Sequence, residues 1–148
     1  MPTQLRAGTE QDAAGIRALL GGAGLPTADL LASNPQFIVA YDGKAIVAAG
    51  ALQLFGACAL LRSVVVASGL RGTGLGRIVV EHLERVARAA HITQLVLLTE
   101  TARQFFEHQG YRVLDRKDVP RAVQESEEFR SLCPTSATCM AKMLPSTS

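Results

Sequence analysis

Val64-Val65-Val66-Ala67-Ser68-Gly69-Leu70-Arg71-Gly72-Thr73-Gly74-Leu75-Gly76-Arg77 is the stretch that decides the fold. Three β-branched residues end a strand, glycines turn the backbone, and a helix follows over about residues 74–90. Ile78, Val79, Leu83, Val86 and Ala87 are spaced to form its buried face. The first N–H groups of a helix have no intrahelical acceptor, and the helix dipole is positive there, so such a start attracts an anion. Glycine permits unusual backbone angles and close approach to a phosphate. Arg71 and Arg77 add charge-assisted donors. Together these features suit a pyrophosphate. A nucleotide P-loop would end in Gly-Lys-Ser/Thr, whereas here the residues are Gly76-Arg77-Ile78. A dinucleotide fold needs G-x-G-x-x-G in its first βαβ unit, but these glycines are at 72, 74 and 76 in mid-chain. The competing reading is a glycine-rich helix start that binds nothing, and the order of elements around the loop weighs against it.

Upstream, residues 4–7 read as a short strand. Thr9 is an N-cap, with Glu10, Gln11 and Asp12 in the first turn. Ile16, Leu19 and Leu20 form the stripe of a helix that Gly21-Gly22 stops, and a second short helix is expected over 27–32. Strands follow over 36–41, 44–54 and 58–66, with a hairpin turn at Asp42-Gly43. Downstream, residues 94–99 form a buried strand of the parallel type. A helix covers 101–108, a strand 111–114, short helices 120–132 and a last strand 137–144. These elements predict one domain over 1–148, a mixed α/β sheet flanked by helices.

Residues 45–61 are apolar apart from Gln53 and the glycines and approach the length of a membrane span. Interruption by Gly50 and Gly56 favours two buried strands instead. The N-terminus has no apolar signal core, and a cytoplasmic protein is expected. Net charge is +2 and no Trp is present, which argues against nucleic acid as partner. Cys58, Cys133 and Cys139 contain no C-x-x-C pair, so neither a disulfide framework nor a metal site is expected.

Arg71-Gly72-Thr73-Gly74-Leu75-Gly76 resembles the Gln/Arg-x-x-Gly-x-Gly/Ala pattern of the GNAT superfamily of acyl-CoA N-acyltransferases. Ala102-Arg103-Gln104-Phe105-Phe106-Glu107-His108-Gln109-Gly110-Tyr111 resembles a second signature of that family. A narrower likeness, to the N-acetyltransferases of bacterial arsenic-resistance operons, rests on Leu60-Leu61-Arg62-Ser63, Leu97-Leu98-Thr99-Glu100-Thr101-Ala102 and Glu128-Phe129-Arg130-Ser131-Leu132-Cys133-Pro134. The resemblance implies a GNAT-type sheet that splays between strands 58–66 and 94–99, and acetyl-CoA as co-substrate. It implies that Val64, Val65 and Val66 pair with the pantetheine arm. It further implies that Arg71, Gly72, Thr73, Gly74, Leu75, Gly76 and Arg77 surround the pyrophosphate. Thr99, Ala102 and Phe105 complete the implied cofactor contacts. The acceptor it implies is a small-molecule amine, with amino-acid-like toxins of the phosphinothricin or arsinothricin type as the narrower candidates; a homodimer is compatible with it. Two positions depart from the pattern. Thr99 stands where the family often has Asn, and Phe106 stands where its Tyr protonates the leaving thiolate, which a phenyl ring cannot do.

Acyl transfer needs a base for an ammonium group and a donor for the oxyanion. Glu100, after the 94–99 strand, is a candidate base or else a first-turn carboxylate of the next helix. A backbone N–H near Val64 or Val65 is the candidate oxyanion donor, and Val65 is the residue chosen. Arg62 interrupts an apolar strand and either clamps a substrate anion or forms a structural ion pair. Ser63 and Arg121 are further substrate candidates, Ser63 facing away from Arg62 unless the strand is bulged. Glu81, Glu84, His82 and His108 read as helix-surface residues, and His91 as a helix-end residue. A non-catalytic acyl-CoA-binding module and an enzyme acting on proteins or peptides are the rival readings.

Overall fold

Among the described residues of the computed structural model, one mixed sheet of seven strands runs in the order β1-β2-β3-β4-β5-β7-β6. The structure describes residues 4–9, 12–22, 36–43, 45–70, 72–126, 129 and 137–145. β1 (Gln4–Ala7), β2 (Gln36–Tyr41), β3 (Ile46–Phe55) and β4 (Cys58–Val66) form an antiparallel meander, with α1 (Ala13–Gly22) between β1 and β2. α2 (Leu75–Ala89) crosses to β5 (Gln94–Thr99), which runs parallel to β4. α3 (Arg103–His108), β6 (Arg112–Val113), α4 (Arg121–Gln124) and β7 (Thr138–Met143) complete the order; β7 is antiparallel to both β5 and β6. The apolar 45–61 stretch is the β3–β4 hairpin, turning at Gly56. No helix among the described residues is long and apolar enough to cross a membrane. The helix expected over 27–32 lies outside the described residues, as does most of 127–136.

Four strands have the bounds expected from sequence (β1, β2, β4 and β5). α3 begins two residues later than expected because Thr99 Oγ1 accepts from the Ala102 N–H at 3.0 Å, which makes residues 100–102 its lead-in turn. At the start of α1, Asp12 reaches back to the Thr9 N–H at 2.8 Å, the reciprocal bond of a capping box. The Arg6 guanidinium, 2.8 Å away, and the Thr9 donors hold the Asp12 carboxyl down at about 2. A depressed carboxyl stabilises the fold above its unfolded value near 4, and that contribution is lost as pH falls toward 2.

α2 covers one face of the sheet. Leu75, Val79, Val80, Leu83 and Ala87 pack on Leu52, Ala59, Leu61, Leu95 and Leu97. The opposite face carries two smaller clusters. Ile16 of α1 sits with Val39, Ala49 and Val65; Val123 of α4 sits with Phe129, Leu60, Val96 and Cys139. Two helix positions differ from the sequence reading. Ile78 is exposed, and Glu84, read as solvated, is buried. The helix is rotated so that Glu84 meets partners distant in sequence: the Tyr111 hydroxyl donates to it at 2.9 Å and Lys142 Nζ of β7 lies 3.1 Å away.

α2 ends in a Schellman motif. The N–H of Ile92 donates to Ala87 O and that of His91 to Arg88 O, which puts His91 at φ 65°. A side chain in that left-handed position costs about 1 kcal/mol that glycine avoids. His91→Gly is therefore expected to raise Tm by about 3 °C in a thermal melt, since ~1 kcal/mol moves a domain of this size by that much. An unchanged or lower Tm would show the position to be unstrained.

Two features of β4 shape the site. Ala49 pairs with Val65 and Ala51 with Arg62, so Ser63 and Val64 both lie opposite Gly50 in a bulge. β4 and β5 pair only at Cys58–Leu60 against Gln94–Val96. Beyond Leu60, β4 stays with β3 while β5 stays with β7, and the sheet opens between them.

Candidate active site

The glycine passage lies at the open end of that gap. After β4 the chain makes a 3-10 turn over Ser68–Leu70 and enters α2 at Leu75. Gly72 and Gly74 have φ 83° and 85°, left-handed values that exclude most side chains, and a Cβ on either meets no atom within 4 Å. Backbone angle, not packing, requires glycine there, and the space over both residues is open. Gly74 is the N-cap of α2 with no side-chain cap, and Ile78 N–H donates to Gly74 O at 3.1 Å. The N–H groups of Leu75, Gly76 and Arg77 precede that bond and have no intrahelical acceptor. Thr73 Oγ1 donates to Leu70 O at 2.6 Å and braces the turn. Arg77 is exposed, 3.9 Å from Glu81; Arg71 lies outside the described residues. Uncapped donors beside open glycines fit a pyrophosphate.

Gly76 differs from the other two. A Cβ there would sit 3.5 Å from Phe105 and 3.6 Å from Val66. The helix start, the end of β4 and α3 therefore meet at one point. Ala102 and Phe105 are half-buried and packed on the α2 side of the core. Thr99 is also half-buried, and its oxygen is committed to the Ala102 N–H.

The β4 register decides which backbone groups face the gap. Ala67 N–H donates to Val47 O at 2.8 Å, so residues 65 and 67 turn toward β3. Val66 accordingly turns its N–H and C=O groups away from β3, toward the gap, while Val64 lies in the bulge opposite Gly50. Of the two oxyanion candidates read from the sequence, Val65 pairs with Ala49 in the β3 ladder and Val64 lies beside it in the bulge.

Arg62 lies on the face away from α2, between Leu60 and Val65 along β4. It is 3% exposed and its Nη1 donates to Gln53 Oε1 at 3.3 Å. Gln53 is the only polar residue of β3, a signal visible in the sequence but not connected there to Arg62. Glu100 is exposed in the bend after β5, and Arg121 is exposed at the start of α4. Ser63 falls in the bulge, and its side chain lies outside the description. Glu100, Arg62 and Arg121 are thus not brought into contact by any observed bond.

Phe106 is buried, edge-on to Phe105 at 5.0 Å and to Tyr111 at 5.5 Å. The hydroxyl missing from Phe106 is not supplied by Tyr111, whose own is bonded to Glu84. Burial pushes the Cys58 and Cys139 thiols up to about 11, so neither is a nucleophile at neutral pH. Cys133 lies outside the described residues. No cluster of metal-ligating side chains occurs among the described residues.

A sheet that parts beside an uncapped, glycine-opened helix start defines a class of protein, the acyl-coenzyme A-dependent N-acyltransferases. Comparison with known families agrees: the Acetyltransferase (GNAT) domain profile matches residues 33–113, more than half of the chain. The chain belongs to the GNAT acetyltransferase family. It is 32% identical over 91 residues to an uncharacterized N-acetyltransferase, YjcF, of Bacillus subtilis (strain 168), covering 61% of this chain and 65% of that protein. Among solved structures, N-acetylglutamate synthase of Neisseria gonorrhoeae complexed with coenzyme A and N-acetyl-glutamate superposes with TM-score 0.84 at 17% identity. That match covers 98% of this chain and 36% of the synthase. The ribosomal-protein-S18-alanine N-acetyltransferase of Escherichia coli matches with TM-score 0.72 at 17% identity, over 99% of this chain and 96% of that one. At these identities the two structures share the fold.

Proposed function

We propose that the chain, as one domain over 1–148, is a cytoplasmic N-acetyltransferase that moves an acetyl group from acetyl-CoA to the primary amine of a small anionic molecule. The narrower acceptor we propose is an amino-acid-like toxin of the phosphinothricin or arsinothricin type, which would fit an arsenic-resistance setting. The observation that carries the reading is the gap between β4 and β5, with Val66 backbone groups on its wall and the uncapped N–H groups of Leu75, Gly76 and Arg77 at its mouth.

When bound, acetyl-CoA supplies the acetyl group as a thioester. The α2 amides and Arg77 hold its pyrophosphate, and Val64 and Val66 take its pantetheine arm as an added strand. The Val64 N–H donates to the thioester oxygen as negative charge develops there. An alkyl ammonium, with a pKa of about 10, must lose a proton before it attacks, and Glu100 is the carboxylate we assign to receive it, through water. With phenylalanine at 106, the departing sulfur takes its proton from water. Arg62, held against Gln53, orients the acceptor through its anionic group.

A thiol-release assay with acetyl-CoA across an amine panel tests this. Amines carrying a carboxylate or phosphinate are expected to turn over, and Arg62→Met is expected to lower their kcat/KM by ~100-fold, the loss of a buried charge-assisted pair. Neutral amines are expected to change less than threefold on the same scale. Turnover indifferent to both acceptor charge and Arg62 would reject the acceptor assignment. The second reading, a binding module without catalysis, is favoured by the absent hydroxyl at Phe106. Tight coenzyme A binding with no turnover on any amine would establish it instead.

A further inference from the structure

A line of contacts leads from the buried face of α2 back to its own N-terminus. Glu84 lies on the third turn, 5% exposed, and accepts from the Tyr111 hydroxyl at 2.9 Å. Lys142 of β7 holds the same carboxylate at 3.1 and 3.2 Å, donates to Gln109 O at 2.8 Å and stands 5.5 Å over the Tyr111 ring. Tyr111 meets Phe106 edge-on at 5.5 Å, and Phe106 meets Phe105 edge-on at 5.0 Å. Phe105 rests against Gly76, at the helix start where the coenzyme is proposed to bind. A buried carboxylate, even one held by Tyr111, Lys142 and an Arg88 guanidinium 3.8 Å away, is costly to desolvate, and apolar residues of similar volume would serve packing alone at least as well. The hydroxyl-to-carboxylate bond does something packing does not: it fixes the depth and rotation of the Tyr111 ring, and through it the α3 aromatics.

We propose that Tyr111, anchored by Glu84, is a positioning residue that holds Phe105 against Gly76 and so sets the wall of the coenzyme site. The inference rests on the coenzyme reading above. Its test is calorimetric titration with coenzyme A itself. Tyr111→Phe keeps the ring and removes only the anchor; it is expected to weaken coenzyme A binding about fivefold, the loss of one bond to a charged group. Phe105→Leu, at the half-buried far end of the line, is expected to weaken it by about as much. Residues acting through one another are non-additive, so the double variant is expected to bind within about twofold of the weaker single variant. Glu84→Gln retains an acceptor for the hydroxyl and is expected to stay within about twofold of wild type. Wild-type affinity in Tyr111→Phe or in Phe105→Leu, or losses that multiply in the double variant, would overturn the positioning role alone. A wild-type protein with no affinity for coenzyme A would instead overturn the proposed function and the positioning role with it.

Discussion

Gly74→Ala is expected to weaken coenzyme A binding by about 30-fold, or ~2 kcal/mol, while the protein stays folded. Gly74 has φ 85°, and a Cβ built there meets nothing within 4 Å. No clash opposes the substitution, so the damage is confined to backbone strain of about 1–2 kcal/mol. The chain relieves such strain by rotating toward an ordinary φ, which swings the N–H groups of Leu75, Gly76 and Arg77 off their common target. The new methyl group also occupies the open space that an anion needs. Titration with coenzyme A measures the affinity, and a melt lowered by only ~3–5 °C confirms the fold. Gly69→Ala is the control, since Gly69 is equally open but has no left-handed φ; it is expected to bind like wild type. Equal affinity in all three proteins would separate the glycine loop from the coenzyme altogether.

Gly50→Val is expected to produce the largest loss of stability, about 3 kcal/mol or more. A Cβ at Gly50 would lie 2.7 Å from Leu83 Cδ1, 3.0 Å from Val79 Cγ1 and 3.4 Å from Val64 Cγ2. Leu83 and Val79 are fully buried in a close-packed interior and have little room to move. Valine adds two further methyls where even the first does not fit, so α2 must lift from β3. For a domain of this size the expected fall in Tm is about 10 °C. A drop below ~3 °C would mean that α2 yields far more easily than its packing implies.

The strand bounds could be read from the sequence because β2, β4 and β5 are nearly continuous apolar runs bounded by turn residues. The rotation of α2 could not. Two stripes of helical spacing run along it, one through Ile78 and Val86, the other through Val80 and Glu84. The choice between them is made by Tyr111 and Lys142, which arrive from 27 and 58 residues away. Period alone cannot see such partners. In the site, the glycine loop and the burial of Arg62 were legible as chemistry, but the direction of each backbone group was not. Alternation along β4 is broken by the bulge opposite Gly50, between Arg62 and Val65. Only the ladder with β3 reveals that break. Glu100 directly follows β5 and is exposed in the bend before α3.

Three paired residues on each side are all that join β4 to β5. The protein is in this sense two leaves on a short spine, with α2 as the binding along their back. An extended acyl carrier lying between the leaves would supply the missing stitches of the sheet. The same place would then serve cohesion and chemistry together, and a loaded molecule would be a more continuous object than an empty one.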